Sequence, residues 1–187
     1  MSAGWRPRAR VVTVAPPAGS VLPLADIKLH LRVDHADEDA AIAGYLAAAT
    51  AAVERITQRL VIPRQVVLQL PGLPPGRCPV ELPGGPVSAV ASILADGVPV
   101  AGASVAGHSP ALLLPDADWP AVSGDGLPVV ITYTAGHAPV PPELLGAIKL
   151  ICGHLYARRE AVAAGVSVSE VPLSARFLME PLRIRPL

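Results

Sequence analysis

The sequence contains few aromatic residues. They make up 3% of 187 residues, whereas hydrophobic residues of all kinds make up 51%. The core must therefore be built mainly from Val, Leu, Ile and Ala. A chain of this length suits one domain, with room for an inserted subdomain, and can bury a sizeable core.

Cysteine is also scarce, because the chain contains only Cys78 and Cys152. Two cysteines are too few for a disulfide scaffold. A single bridge between them stays open as an alternative. Two buried free thiols in a reducing cytosol are the favoured interpretation.

The chain has no net charge, since 15 Lys and Arg residues balance 15 Asp and Glu residues. No global electrostatic field therefore draws it to nucleic acid. Arginines are nevertheless concentrated near both ends, at Arg6, Arg8 and Arg10 and at Arg176, Arg183 and Arg185. Basic ends on a neutral body favour solvation or docking onto an acidic partner over reading of DNA.

Long apolar runs are missing as well. The uncharged run at 40–53 is too short to span a bilayer, and the run at 97–115 is interrupted by Gly and Pro. The N-terminal apolar run ends at Pro16 and Pro17, too early for a signal peptide. We therefore expect a cytoplasmic chain without a membrane span.

Motifs for common chemistries are absent. The sequence has no phosphate-binding glycine loop and no G-x-S-x-G nucleophile motif. The acidic turn at 34–39 lacks the glycine and the closing Glu of a calcium loop, and the histidines lack the spacing of a zinc pair. We predict no catalytic residue, no cofactor and no metal ion.

The most regular feature is the stretch at 22–60, which predicts a short helix at Leu24–Leu31, an acidic turn and a long helix. Apolar residues of the long helix recur at spacings of 4, 3, 4, 3 and 4, at Ile42, Leu46, Ala49, Val53, Ile56 and Leu60. This spacing places them on one helix face. Asp34 and Asp37 are predicted to cap the helix, because carboxylates bind its free N–H groups and favour its positive dipole end.

Between 61 and 133 the pattern changes to short strands separated by Pro and Gly. The predicted strands are 65–70, 80–82, 87–95, 98–105, 111–114 and 127–133. Asp96-Gly97 indicates a two-residue hairpin turn, because Gly tolerates the positive φ such turns need. Trp119, in a proline-rich loop, is predicted to be a hydrophobic plug.

A helix returns at Pro141, where proline and Glu143 indicate an N-terminus, and it continues to about Glu160. Gly146 and Gly153 are seven residues apart, share a face and predict close packing on the long helix. After a linker, Leu173–Met179 has the pattern of one or two helical turns, and an extended basic end follows.

These elements predict an α+β fold. It is mainly an α-helical bundle, with a small antiparallel β subdomain inserted between the long helix and the C-terminal helix. Residues 1–21 are predicted to be a flexible arm that is disordered or adds a strand to a neighbour. Residues 22–160 are predicted to be the bundle domain, with the β insertion at about 61–134, and residues 161–187 an extended docking segment.

Four motifs in this order resemble the head–tail connector (adaptor) proteins of long-tailed bacteriophages and phage-like gene transfer agents. The first is LADIKLHLRVDHADEDAAIAGYLAAATAAVERITQRLV, and the second is ELPGGPVSAVASILADG. The third is PVVITYTAGHAPVPPELLGAIKLICGHLYARRE, with its Thr-Ala-Gly turn, and the last is VPLSARFLMEPLRIRP. The resemblance covers nearly the whole chain from about residue 20.

This resemblance implies a structural protein without enzymatic activity. It implies a ring of about 12 copies in cyclic symmetry, which lies under the portal, extends the DNA channel and links capsid to tail. The implied partners are the portal, a stopper or tail-terminator protein and other copies of the chain. Double-stranded DNA passes without specific binding, and no membrane is involved. The chain is expected in the particle neck after assembly in the bacterial cytoplasm.

We expect the segment from Val171 to Leu187 to dock into the portal. Three apolar side chains are the predicted anchors, and three arginines are predicted to pair with acidic portal groups: Phe177, Leu178 and Leu182, and Arg176, Arg183 and Arg185. The alternative is that this segment folds back on its own bundle.

Alternative functions also stay open. The nearest is a stopper or tail-completion protein, and a more distant one is a DNA-packaging accessory protein that binds DNA. An enzyme with its site in the β subdomain is a third, although the missing acid–base and metal constellations count against it.

Overall fold

The computed structural model describes residue 7 and residues 10–107, 110–123, 126–158 and 171–184. The described residues contain four α-helices and eight strands. The chain divides into two compact units. The β unit contains residues 1–18, 58–138 and 184–187, and the helical unit contains residues 19–57 and 139–183.

The β unit consists of two antiparallel sheets. A five-stranded sheet has the order β1-β2-β8-β4-β5, and a three-stranded sheet has the order β3-β7-β6. The strands are β1 Val11–Val14, β2 Arg64–Leu70, β3 Val80–Leu82, β4 Val87–Ala95, β5 Val98–Pro99, β6 Ala103–Ala106, β7 Ala111–Pro115 and β8 Val129–Ala135. The α+β class and the antiparallel pairing are confirmed. The description as mainly helical is not, because the strands take up nearly as much of the described chain as the helices.

The predicted strand at 98–105 is two strands that belong to different sheets. Pro99 ends β5 after two residues, since proline has no N–H for a further ladder bond. Gly102 has a φ of 76°, which turns the chain into β6 of the second sheet. The Asp96-Gly97 hairpin is confirmed, with φ values of 51° and 78° that suit a two-residue turn.

Strand β1 lies within the segment predicted to be a flexible arm. It pairs antiparallel with β2 of its own chain, with Val11 opposite Gln69 and Val14 opposite Val66. Domain boundaries at residues 22 and 160 stay predictions.

Buried side chains alternate with partly buried ones along the central strands, and the buried side chains form the core of the β unit. Along β8, Val129, Ile131, Tyr133 and Ala135 are buried, as the two-residue period of a strand requires. Trp119 packs into this core, and its indole Nε1–H donates to the carbonyl oxygen of Cys78 at 2.8 Å. The prediction that Trp119 is a plug is confirmed.

The helical unit contains α1 Leu24–Leu31, α2 Asp39–Thr57, α3 Pro142–Ala157 and α4 Leu173–Met179, followed by a 3-10 turn at Glu180–Leu182. The apolar face of α2 is buried at Ile42, Leu46, Ala49 and Val53. The predicted helix end at Leu60 is wrong. The helix ends at Thr57, Gln58 adopts a positive φ of 59°, and Leu60 packs in the β unit.

Glycines of α3 face neighbours other than the predicted one. A Cβ on Gly146 would lie 3.2 Å from Leu178 Cδ1 of α4, and a Cβ on Gly153 would lie 3.7 Å from His30 Nε2 and Leu31 Cδ2 of α1. The two glycines therefore allow close approach of α4 and α1, not of α2. Helix α3 packs against α2 through other residues. Spacing shows that two residues share a helix face, but not which element covers it.

Both cysteines are free, as the favoured interpretation predicts. Cys152 is buried in α3, but Cys78 is exposed, so the prediction of two buried thiols is wrong for Cys78. Cys78 lies just before β3, where its carbonyl oxygen bonds Trp119 while its thiol faces solvent.

Gly136 occupies a position that excludes every side chain. Its φ is 137°, and a Cβ there would lie 2.5 Å from Pro63 Cα. We expect Gly136→Ala to lower the free energy of unfolding by at least about 2 kcal/mol, through backbone strain and the clash. Gly72→Ala is the matched control, because a Cβ there meets nothing within 4 Å. Urea titration of both variants checks this; equal stability of the two would contradict it.

The hydroxyl of Tyr133 is buried and donates a 2.8 Å hydrogen bond to the carbonyl oxygen of Pro83. Burial raises the pKa of Tyr133, so the donor stays protonated. We expect Tyr133→Phe to lower the free energy of unfolding by about 1 to 2 kcal/mol, because the carbonyl loses its partner. Tyr45→Phe, whose hydroxyl bonds no described residue, should change it by less than about 0.5 kcal/mol. Thermal denaturation of both variants tests the difference.

Candidate interaction surfaces

Helix α4 has one packed face and one exposed face. Ala175 and Met179 are buried, and Leu178 is half-buried against Gly146 of α3. On the other face, Leu173 and Phe177 are both 80% exposed. Four residues separate them, so they lie on the same side of the helix. An exposed apolar pair on a helix is a candidate contact surface for another protein.

The predicted docking residues divide between these faces. Arg176, Phe177 and Arg183 are exposed, whereas Leu178 and Leu182 are half-buried. Arg185 lies outside the described residues. Leu178 packs on α3 of its own chain. The packed face of α4 therefore agrees with the alternative in which this segment folds back on its own bundle. The docking role of the exposed residues stays a prediction.

Helix α2 begins directly after Glu38, whose carbonyl oxygen accepts the bond from the N–H of Ile42 at 2.9 Å. Asp37 lies one residue earlier, and its carboxylate is 3.6 Å from His35 Nδ1. Asp34 lies three residues before Asp37. The structure therefore places neither residue directly before the helix, and their capping role stays a prediction.

Other acids of this turn join the helices to one another. Lys28 of α1 binds Asp39 of α2 through a salt bridge of 2.6 Å. The hydroxyl of Tyr156 on α3 donates to Glu38, and its ring meets Tyr45 of α2 edge-on, with ring centroids 6.4 Å apart. The salt bridge is half-exposed and contributes at most about 1 kcal/mol. Sequence reasoning missed these pairs; the available signal was the motif in which Lys28 precedes the acidic turn.

A second apolar surface lies beside α1. A depression of about 430 Å³ is lined by Leu24, Ala25, Lys28, Leu29, Val33 and Asp39. Leu29 at its rim is 81% exposed. Because the Lys28–Asp39 pair already satisfies the charges of the lining, the rest of the surface is suited to an apolar side chain.

The β unit also exposes apolar side chains. Val11, Val12 and Val14 of β1 are 45%, 39% and 40% exposed, and Val98 beside the hairpin turn is 64% exposed. These residues lie on the two outermost strands of the five-stranded sheet. Both edges of this sheet therefore present apolar surface.

Ionisable groups are buried in each of the two units. Arg59 and Glu81 are the buried charged residues within the described chain. Burial, and then the positive charge of Arg59, lower the pKa of His137, whose Nε2 has no hydrogen-bond partner among the described residues. Burial also lowers the pKa of Arg59 and raises that of the Cys152 thiol.

Within the described ranges, no group of three or more His, Cys, Asp or Glu side chains could hold a metal ion. No helix in the same ranges is long and apolar enough to cross a membrane. The exposed features of α1, α4 and β1 described above include apolar surface, and exposed apolar surface can mark a contact with another protein.

Comparisons with known proteins support the resemblance to head–tail connectors. Residues 22–94 match the model of the phage gp6-like head-tail connector protein family. A chain in the neck of an empty gene transfer agent particle, computed with C6 symmetry, is 28% identical, with a TM-score of 0.76 over 95% of this chain and 97% of that one. A chain in the neck of the native particle, computed with C12 symmetry, is 27% identical, with a TM-score of 0.73 over 94% and 97%. Among curated proteins no match is found.

A further match is a chain in the virion of the native gene transfer agent, 26% identical with a TM-score of 0.71 over 94% of this chain and 96% of that one. These matches confirm the resemblance to head–tail connectors of phages and gene transfer agents. Such connectors are structural neck proteins and not a class of enzyme. The matches support a position in the particle neck and suggest a ring oligomer there.

Because the pKa of His137 is lowered in the folded chain, the unfolded chain takes up this proton at a higher pH. The stability associated with neutral His137 is present above the usual histidine pKa, near 6.5, and is lost as the pH falls below it. We expect the drop in urea midpoint between pH 7.5 and 5.5 to be smaller in His137→Gln. The other histidines are present in both proteins, so their contribution to the drop cancels in the comparison. An equal drop would contradict this expectation.

Proposed function

We propose that the protein forms a closed ring beneath the portal, extends the DNA channel and links the capsid to the tail. The observation that carries this proposal is the match over 95% of the chain to a protein of a gene transfer agent neck. Necks computed with C6 and C12 symmetry support a ring, which we take to have about 12 copies.

The C-terminal segment is the proposed portal contact. Phe177 is an apolar anchor with 80% of its surface free, and Arg176 and Arg183 are exposed beside it. Leu182, half-buried, and Arg185 complete the proposed surface, whereas Leu178 positions α4 by packing on α3. Pro172 and Pro181 restrict the unbound segment, which lowers the entropy lost on docking. Arginine is suited to bind acidic portal groups through paired hydrogen bonds.

The opposite side of the ring is proposed to bind a stopper or tail-terminator protein. Duplex DNA passes through without specific binding, and a net charge of zero suits a channel in which DNA must slide. Assembly takes place in the bacterial cytoplasm.

Co-sedimentation with the portal ring of the same gene cluster, followed by electron microscopy, tests the function. We expect a ring stacked on the portal. Binding to a tail or stopper protein and not to the portal would favour the stopper alternative. Salt-sensitive binding to DNA alone would favour the packaging accessory.

Two variants test the docking segment in the same assay. Phe177→Ala is expected to weaken portal binding at least about tenfold, as loss of a buried aromatic anchor does. Leu29→Ala is the matched control, because Leu29 is equally exposed but lies on α1, outside the proposed docking segment. Portal binding that survives both Phe177→Ala and deletion of residues 172–187 would overturn the docking proposal.

A further inference from the structure

Within the described part of the chain, strand β1 is an unprotected sheet edge. Edge strands of soluble proteins usually carry a charge, a proline or a bulge that prevents pairing with another chain. Val11–Val14 contains no charged residue and no proline, and all four of its residues are exposed. The opposite edge of the same sheet differs, because β5 has two residues and one of them is Pro99.

The free hydrogen-bonding groups of β1 follow from its register. The N–H of Ala15 donates to the carbonyl oxygen of Gln65 at 2.9 Å, and pairing alternates along an antiparallel ladder. The backbone N–H and C=O groups of residues 11, 13 and 15 therefore point toward β2. The N–H and C=O groups of Val12 and Val14 point outward, and they bond no described residue.

Strand β6 is the matching edge of the three-stranded sheet. The N–H of Asp116 donates to the carbonyl oxygen of Gly102 at 2.6 Å. The backbone N–H and C=O groups of residues 102, 104 and 106 therefore point toward β7. Ala103 and Val105 therefore present their N–H and C=O groups outward. The other edge of this sheet, β3, is buried along its length.

We infer that β1 of one copy pairs antiparallel with β6 of the next copy in the ring, with Val12 opposite Val105 and Val14 opposite Ala103. This inference rests on the proposed ring. Each of these residue pairs would exchange two hydrogen bonds, which uses all the outward groups of both strands. The same register places Thr13 opposite Ser104, and both residues are exposed. The two hydroxyl side chains would therefore lie opposite each other on one face, and the apolar side chains would lie opposite each other on the other face.

A closed ring needs two different patches on each copy that fit each other. Strand β6 lies on the side of β4, while β1 lies at the far end of the β1-β2-β8-β4-β5 order. The two strands thus lie toward different sides of the β unit, and they provide the two separate patches that a head-to-tail contact requires. Pairing of β1 with β1 would form closed dimers instead, and necks computed with C6 and C12 symmetry count against it.

A disulfide tests the register. Thr13 and Ser104 form a non-hydrogen-bonded pair, with Cα atoms about 4.5 Å apart, a separation that a disulfide spans. The full chain carries Thr13→Cys and Ser104→Cys in a Cys78→Ser background, because Cys78 is exposed. After assembly on the portal ring and mild oxidation, we expect a ladder of covalent multimers up to the closed ring. Thr13→Cys alone should give no ladder.

Electron microscopy of the same sample separates the two possible failures. A ring without covalent multimers would overturn the β1–β6 pairing and leave the ring in place. Absence of any ring with the portal, for the Cys78→Ser parent as well, would overturn the proposed function and this inference together.

A backbone variant gives an independent measurement. Val12→Pro removes an outward N–H and no bond to β2, so the melting temperature of the isolated chain should be nearly unchanged. Ring assembly should be weakened at least tenfold. Val12→Ala keeps the N–H and should assemble within about threefold of the parent. Equal assembly of Val12→Pro and Val12→Ala would overturn the inference.

Discussion

The close approach of Gly136 to Pro63 fixes the arrangement of the β unit. Arg64 and Val87 both lie opposite Ala135, so β2 and β4 begin, and β8 ends, beside this contact. The N–H of Gly136 donates to the carbonyl oxygen of Pro86 at 2.9 Å, which holds the start of β4 to the same point. A shift of one residue here would turn every side chain of a strand to the wrong face. The Thr-Ala-Gly turn of the connector motif therefore has a physical reason, since only a residue without Cβ fits.

Much of the fold could be predicted from local signals. Helix α1 and strands β3 and β4 have the predicted bounds, because periodicity and turn residues determine them locally. The division of the strands into two sheets could not be predicted, since it depends on where the chain turns at Gly102. The neighbours of Gly146 and Gly153 depend on tertiary packing in the same way. Leu60 fits the helical spacing of α2, yet Gln58 ends the helix first.

The candidate surface on α4 shows the same limit. Sequence reasoning selected Phe177, Leu178 and Leu182 as equivalent apolar anchors of the docking segment. In the folded chain the helix rotates Leu178 toward α3 and Phe177 toward solvent. A seven-residue helix is too short for its hydrophobic pattern to identify the packed face. The salt bridge between Lys28 and Asp39 was likewise not predicted, since its geometry depends on how the acidic turn closes.

Each unit is discontinuous in sequence, and this has a consequence for synthesis on the ribosome. Helix α2 ends at Thr57, but α3 begins only at Pro142, so the helical unit is incomplete until the β unit has been made. Strand β1, in turn, emerges long before β2 and β8. Contacts between residues far apart in sequence close slowly and leave apolar surface exposed meanwhile. The chain contains many prolines and few aromatic residues. The segments that are synthesised first therefore expose little aromatic surface, which limits aggregation until their partner strands and helices have been made.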